Sequence, residues 1–329
     1  MKKIINNIDN LVHEMCSGIA EAFPDKVEYD ESNKVVSRKI KKTDRVILIS
    51  GGGSGHEPAH AGFVGKGLLD AAVCGDVFAS PSVMQVYNAI KKNHTDKGVL
   101  LVVKNYAGDV MNFDNAADLA IDEDDIQVDS VCVNDDVAIE RKEDRRGVAG
   151  TLFVHKIAGA MAEKGADLNE VKRVAEKVIN NVRSMGIALE SCIVPARGKP
   201  TFELEADKIE VGVGIHGEAG IRKEPHIHSK AMAKKIIDRI LSDLPCKRET
   251  ECALMINGFG GTPLQELYVL ANDVIRLLKE KEIKLHRNMI GNYMTSIDMA
   301  GASISLLKLD EETKELLDEP CDSLAWKEF

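Results

Sequence analysis

Apolar residues along this chain fall into two textures, helical stripes and short unbroken runs. Between residues 8 and 23, Leu11, Val12, Met15, Ile19 and Phe23 recur at three- and four-residue steps, predicting an amphipathic helix ended by Pro24. Residues 45–50 form an apolar, β-branched run that predicts a buried strand, and similar runs at 71–77, 98–104 and 128–133 predict three more. Nearly all-apolar strands alternating with helices predict a parallel sheet with helices on both faces. Residues 147–183 predict two helices separated at 165–167. After that the texture changes. Strands are predicted at 187–194, 201–204, 209–215, 252–257, 284–290 and 303–308, and helices at 229–241 and 263–279. The fold class expected is α/β. A parallel-sheet N-terminal domain (1–184) is followed by a second α/β domain with a mixed sheet (185–329).

Charge and cysteine usage narrow the function classes. A net charge of −10 with no basic cluster argues against a nucleic-acid binder. No apolar run is long enough to span a bilayer, so no membrane association is expected. Polar residues interrupt the stretch after Met1, Lys2 and Lys3, so no signal peptide is read. Seven cysteines without a CxxC pair are expected to be reduced thiols of a cytoplasmic protein.

The richest stretch chemically is GGGSGHEP (51–58), a glycine-rich turn directly after the first predicted strand. Such a turn brings backbone N–H groups close to a small ligand, and Pro58 is expected to open a helix. His56 and His60 spell H-E-x-x-H, but zinc chemistry needs both histidines on one continuous helix, and Pro58 lies between them. No metal is therefore assigned there, nor at His226 and His228. The loop also lacks the spacing of a P-loop or a dinucleotide fingerprint. Ser80 is expected as an N-cap ahead of Pro81, with Asn257–Leu264 read as another helix entry. Asp109 has two readings, N-cap or general base beside His56 and Lys104 at the carboxyl edge of the sheet. His216 sits among Gly214, Gly217 and Gly220 at a strand end, where its ring could reach a ligand.

Five blocks, GGGSGHEP (51–58), KNYAGDVMNF (104–113), RRGVAGT (145–151), GVGIHGEAG (212–220) and NYMTSIDMAG (292–301), resemble the substrate-binding K subunits of dihydroxyacetone kinases. The resemblance spans essentially the whole chain, without the nucleotide-binding domain some members carry. It implies that His216 traps the ketone as a covalent hemiaminal, Asp109 is the general base, and His56 orients substrate and assists proton transfer. Gly53, Ser80 and Lys104 correspond to substrate-lining positions. It further implies a homodimer that binds no cofactor itself. ADP and magnesium would sit on a separate L subunit, re-phosphorylated from phosphoenolpyruvate through an M phosphocarrier. Two alternatives stay open: a ketone-sensing co-activator, whose partner would be a transcription regulator, and a kinase subunit for another short-chain ketose or aldose. The chain departs from the family pattern at 142–144 and at Ala219.

Overall fold

The computed structural model describes residues 2–41 and 43–329; Met1, which heads the N-terminal stretch read for a signal peptide, lies outside the described residues. The chain packs into two compact units, one made of residues 2–133, 152–178 and 315–329, the other of 134–151 and 179–314. The single cut expected at 184 is coarser than this division. Residues 134–151 join the later unit because their polar groups are satisfied there. Asp135 accepts from the Val148 and Gly150 amides at 2.8 and 2.9 Å and from the Ser184 hydroxyl.

The first unit, here the glycine-loop unit, begins with α1 (Leu11–Ala22), β1 (Val27–Asp30), β2 (Val35–Arg38), β3 (Ile47–Ser54), β4 (Gly65–Lys66) and β5 (Ala71–Val77). It continues through α2 (Val83–Asn93), β6 (Val99–Lys104), α3 (Ala107–Asp124), β7 (Val128–Val133), α4 (Thr151–Glu163) and α5 (Leu168–Asn181). Its main sheet has the order β1-β2-β5-β3-β6-β7. The four strands from β5 to β7 are parallel, as the apolar runs predict, while β1 and β2 form an antiparallel hairpin on the edge. Alternate residues Ile47, Ile49, Leu101 and Val103 pack with Phe113, Val86 and Ile90 of α3 and α2. Leu48, Leu100 and Val102, which point the other way, are equally buried. On that face α5 is tied to β7 by Lys172 and Asp129, and α4 to β2 by Glu163 and Arg38. After β3 the chain crosses first to one neighbour, β5, and then to the other, β6. Such a reversal opens a crevice at the carboxyl ends of the strands, where α/β folds bind ligands.

The second unit, the histidine-loop unit, contains β8 (Val182–Ala188), β9 (Lys208–Val211), β10 (Arg222–Pro225), α6 (Ser229–Asp243), β11 (Glu251–Gly258), α7 (Leu264–Glu280), β12 (Lys284–Gly291) and β13 (Gly301–Lys308). Its sheet is mixed, in the order β10-β9-β8-β13-β11-β12, with only β11 and β12 parallel. Ile236, Ile237, Ile240, Leu267 and Val274 of α6 and α7 bury against Ile187, Val211, Leu254 and Ile304 of the sheet. The chain ends with α8 (Glu311–Asp318), β14 (Cys321–Ser323) and β15 (Lys327–Glu328); from residue 315 it is back in the glycine-loop unit, where β14 and β15 join β4 in a three-stranded sheet.

Three expected strands change. The strand expected from 187 to 194 is shifted back to Val182–Ala188, because the Leu189 and Glu190 amides both turn to Ala300 O and leave the ladder. Residues 201–204 form no strand. The strand expected over 209–215 stops at Val211, because Gly212 turns to a positive φ of 76°. That turn releases the segment that carries His216. No helix of the described residues is long and apolar enough to cross a membrane.

Candidate active site

At the carboxyl end of β3 the loop needs its glycines for space. A Cβ on Gly52 would lie 2.4 Å from Lys104 Nζ and 3.1 Å from Asp109 Oδ2, and one on Gly53 would lie 2.7 Å from Ala79 N. Gly52 also has a positive φ of 134°, which favours glycine. The loop therefore lies directly against a buried lysine and carboxylate. No α-helix begins at Pro58; the chain turns instead into a short 3-10 helix over Ala61–Phe63. His56 and His60 thus share no helical face, contrary to what an H-E-x-x-H zinc site needs. His56 stacks on Phe78, with ring centroids 5.3 Å apart. Among the described residues, no group of three or more His, Cys, Asp or Glu side chains is arranged to hold a metal ion.

Lys104 ends β6 fully buried. Its Nζ lies 2.7 Å from Gly51 O, 3.0 Å from His60 Nε2 and 3.4 Å from Asp109 Oδ2. Burial pushes the Lys104 ammonium down from its usual pKa, and the carboxylate of Asp109 acts against that. Asp109 is not an N-cap. Helix α3 starts at Ala107 after Tyr106, which leaves Asp109 in the first turn, where the helix dipole favours an acidic side chain. Its Oδ1 accepts from the hydroxyl of Ser80.

Ser80, expected as the cap of α2, is therefore free for this bond. The cap is Ser82, in a reciprocal capping box with Gln85. Asn112 Nδ2 donates to Pro81 O at 2.8 Å and ties α3 to the Ser80 segment. Gly53, His56, Ser80, Lys104 and Asp109 thus lie at one edge of one unit. The cavity directly under the loop, lined by Gly52, Gly53, Glu57 and His60, holds about 10 Å³, room for roughly one water.

His216 belongs to the other unit and has a different setting. It is half-buried on an irregular loop. Its backbone N–H donates to Glu218 Oε2 at 2.8 Å. Glu218 Oε1 accepts from Arg146 Nη1 at 3.1 Å, and Arg146 also donates to Gly212 O at 2.7 Å and to Asp136 Oδ2 at 2.6 and 2.9 Å. Arg146 thus clamps both ends of the loop. Burial pushes Asp136 up to about 6, and the neighbouring guanidinium acts against it. Gly217 has a positive φ of 69°, and a Cβ there would lie 2.5 Å from Cys192 Sγ.

Sequence reasoning overlooked this clamp and the place of His60. RRGVAGT contributes the clamp residue Arg146 to the histidine loop, a role its composition did not disclose. A larger apolar groove of about 270 Å³ between α6 and α7 contains none of the expected site residues.

Comparison with known proteins identifies the family. Residues 17–325 match the Dak1 domain. The dihydroxyacetone-binding subunit of the PTS-dependent dihydroxyacetone kinase 1 of Listeria innocua is 50% identical over 330 residues, covering 99% of this chain and 100% of that protein. Among solved structures, a dihydroxyacetone kinase operon co-activator superposes with a TM-score of 0.92 at 34% identity, over 98% of this chain and 99% of that one. The native dihydroxyacetone kinase of C. freundii gives a TM-score of 0.91 at 37% identity, over 99% of this chain and 60% of that one. The chain belongs to the Dak1 family.

Proposed function

We propose that this chain is the dihydroxyacetone-binding subunit of a phosphotransferase-dependent dihydroxyacetone kinase. The observation that carries the proposal is the end-to-end 50% identity to a subunit of that description. The chain also carries His56, Lys104, Asp109 and His216 inside the sequence blocks that define the resemblance, and Ser80 between two of them. A neutral imidazole nitrogen of His216 attacks the ketone carbon. The carbonyl oxygen gains a proton, the other ring nitrogen loses one, and a neutral hemiaminal results. A ketone is thereby selected over glycerol, which offers hydroxyls but no carbonyl. Asp109, oriented by Ser80 and Lys104, takes the proton from the terminal hydroxyl as it attacks phosphorus. His56 orients the substrate and assists that proton transfer.

Phosphoryl transfer depends mainly on positioning and charge stabilisation. In this reading a separate L subunit supplies the nucleotide and magnesium, and an M phosphocarrier renews its phosphate from phosphoenolpyruvate. The chain acts as a homodimer in the cytoplasm. Intact-mass measurement after incubation with dihydroxyacetone tests the proposal. It should show a gain equal to one whole substrate, without loss of water, and peptide mapping should place it on His216. No adduct, or an adduct on another residue, would contradict the proposed chemistry.

A second reading is a co-activator that binds the ketone without phosphorylating it. The TM-score of 0.92 to a co-activator supports this alternative.

A further inference from the structure

His60, the second histidine of the H-E-x-x-H run, has no part in the proposed chemistry, yet it is buried directly behind the site at 5% exposure. Its Nε2 lies 3.0 Å from Lys104 Nζ. A charged lysine has only donors, so Nε2 must be the bare, accepting nitrogen and the ring proton must sit on Nδ1. Lys104 also has just three N–H groups. Gly51 O, His60 Nε2 and Asp109 Oδ2 lie at 2.7, 3.0 and 3.4 Å and can take one each. Removing any of these acceptors releases the ammonium from the direction that sets it beside Asp109.

The surroundings of His60 keep it an acceptor. His155 packs against it with ring centroids 5.3 Å apart, itself fully buried, and makes no hydrogen bond through either ring nitrogen among the described residues. Nδ1 of His60 likewise has no partner among the described residues. Lys104, His155 and His56 surround the ring, and none of them offers a negative charge that would favour an imidazolium. Burial, followed by Lys104, His155 and His56, pushes His60 well below the ordinary histidine range.

We infer that His60 is a positioning residue: as a neutral imidazole it anchors the Lys104 ammonium through Nε2 and so holds Lys104 and Asp109 in register for proton abstraction. The inference rests on the kinase reading above and adds to it a residue that need not touch substrate. It predicts that the acceptor at the Nε2 position matters, whereas the ring does not. Gln at 60 places an amide oxygen near that position, and Leu removes the acceptor.

The test is steady-state turnover of the chain together with an ADP-loaded L subunit and its phosphoryl-donor system. H60L should lower kcat by about ten- to a hundredfold, the loss expected when a buried charged group loses a hydrogen-bond partner. KM and the His216 adduct should be nearly unchanged, and H60Q should recover most of the rate. Equal turnover by wild type and H60L would overturn the inference alone. An inert wild type would overturn the kinase reading, and with it any role for His60 in turnover. Should H60L fail to fold, the ¹⁵N spectrum of the wild-type histidines decides. A His60 with a pyridine-like Nε2 and a protonated Nδ1 is expected; a protonated Nε2, or an imidazolium, would overturn the inference.

Discussion

The two candidate functional regions are built by opposite means. The glycine-loop site is made of strand ends and the first turn of a helix, and Lys104, Asp109 and His56 are at most 2% exposed. Its side chains are fixed by close backbone approach. The His216 loop has left its sheet; Val213 and Ile215 are buried, His216 itself is half-buried, and one ion cluster, Arg146 with Asp136 and Glu218, ties the loop down. The lesson is that the proposed base comes pre-organised by the fold, whereas the proposed covalent residue depends on a clamp that one substitution can open.

The largest effect expected is that of H216A, which should abolish the adduct in intact-mass measurements. Its melting temperature should stay close to wild type, because the side chain is half-buried on a loop. D109N comes next. It should keep the adduct but slow phosphoryl transfer by about 10²- to 10⁴-fold, the usual scale of general-base catalysis, in single-turnover kinetics.

Opening the clamp with R146A separates the regions. Asp136 is left buried without its guanidinium, so about 3 kcal/mol of stability should be lost in denaturant titration. Adduct occupancy at fixed ketone should fall about tenfold, in keeping with a loosened loop. R146K should recover little of this, because an ammonium cannot reproduce the guanidinium's fork to Asp136, Glu218 and Gly212 O. A mutant with unchanged adduct occupancy would show that the loop holds itself.

The last effect is a pH slope to which the buried histidines contribute. Burial, followed by Lys104, pushes His155 down from 6.5 to about 3. Between those values the unfolded chain takes up a proton at this position that the folded chain does not, so the contribution of His155 to stability falls as pH drops from about 6.5 towards 3. H155F should flatten that part of the melting temperature–pH curve. An unchanged slope would contradict a neutral, buried His155.

The parallel strands were legible because a strand buried on both faces writes an uninterrupted apolar run, as in β3 and β6. The β1–β2 hairpin was not, because Glu28, Asp30 and Arg38 interrupt its short strands. Ser80 and Ser82 both precede α2. The deciding signal is Gln85, three residues after Ser82, whereas Pro81 at a position suited to N1 favours Ser80 as the cap. His60 was flagged by the wrong motif, since H-E-x-x-H describes a helix that Pro58 and the following turn do not form. The clamp was illegible for a simpler reason. Arg146 and Glu218 are 72 residues apart, and no local pattern records a pairing that only the folded unit creates.

Presenting a ketone for phosphorylation, as proposed, is distinct from merely sensing it. Turnover of dihydroxyacetone with the purified ADP-loaded L subunit and its phosphoryl-donor system tests it most directly. Steady formation of dihydroxyacetone phosphate is expected, lost in H216A and strongly slowed in D109N. A stable adduct on His216 with no turnover across cognate L subunits would contradict it and assign the chain to ketone sensing.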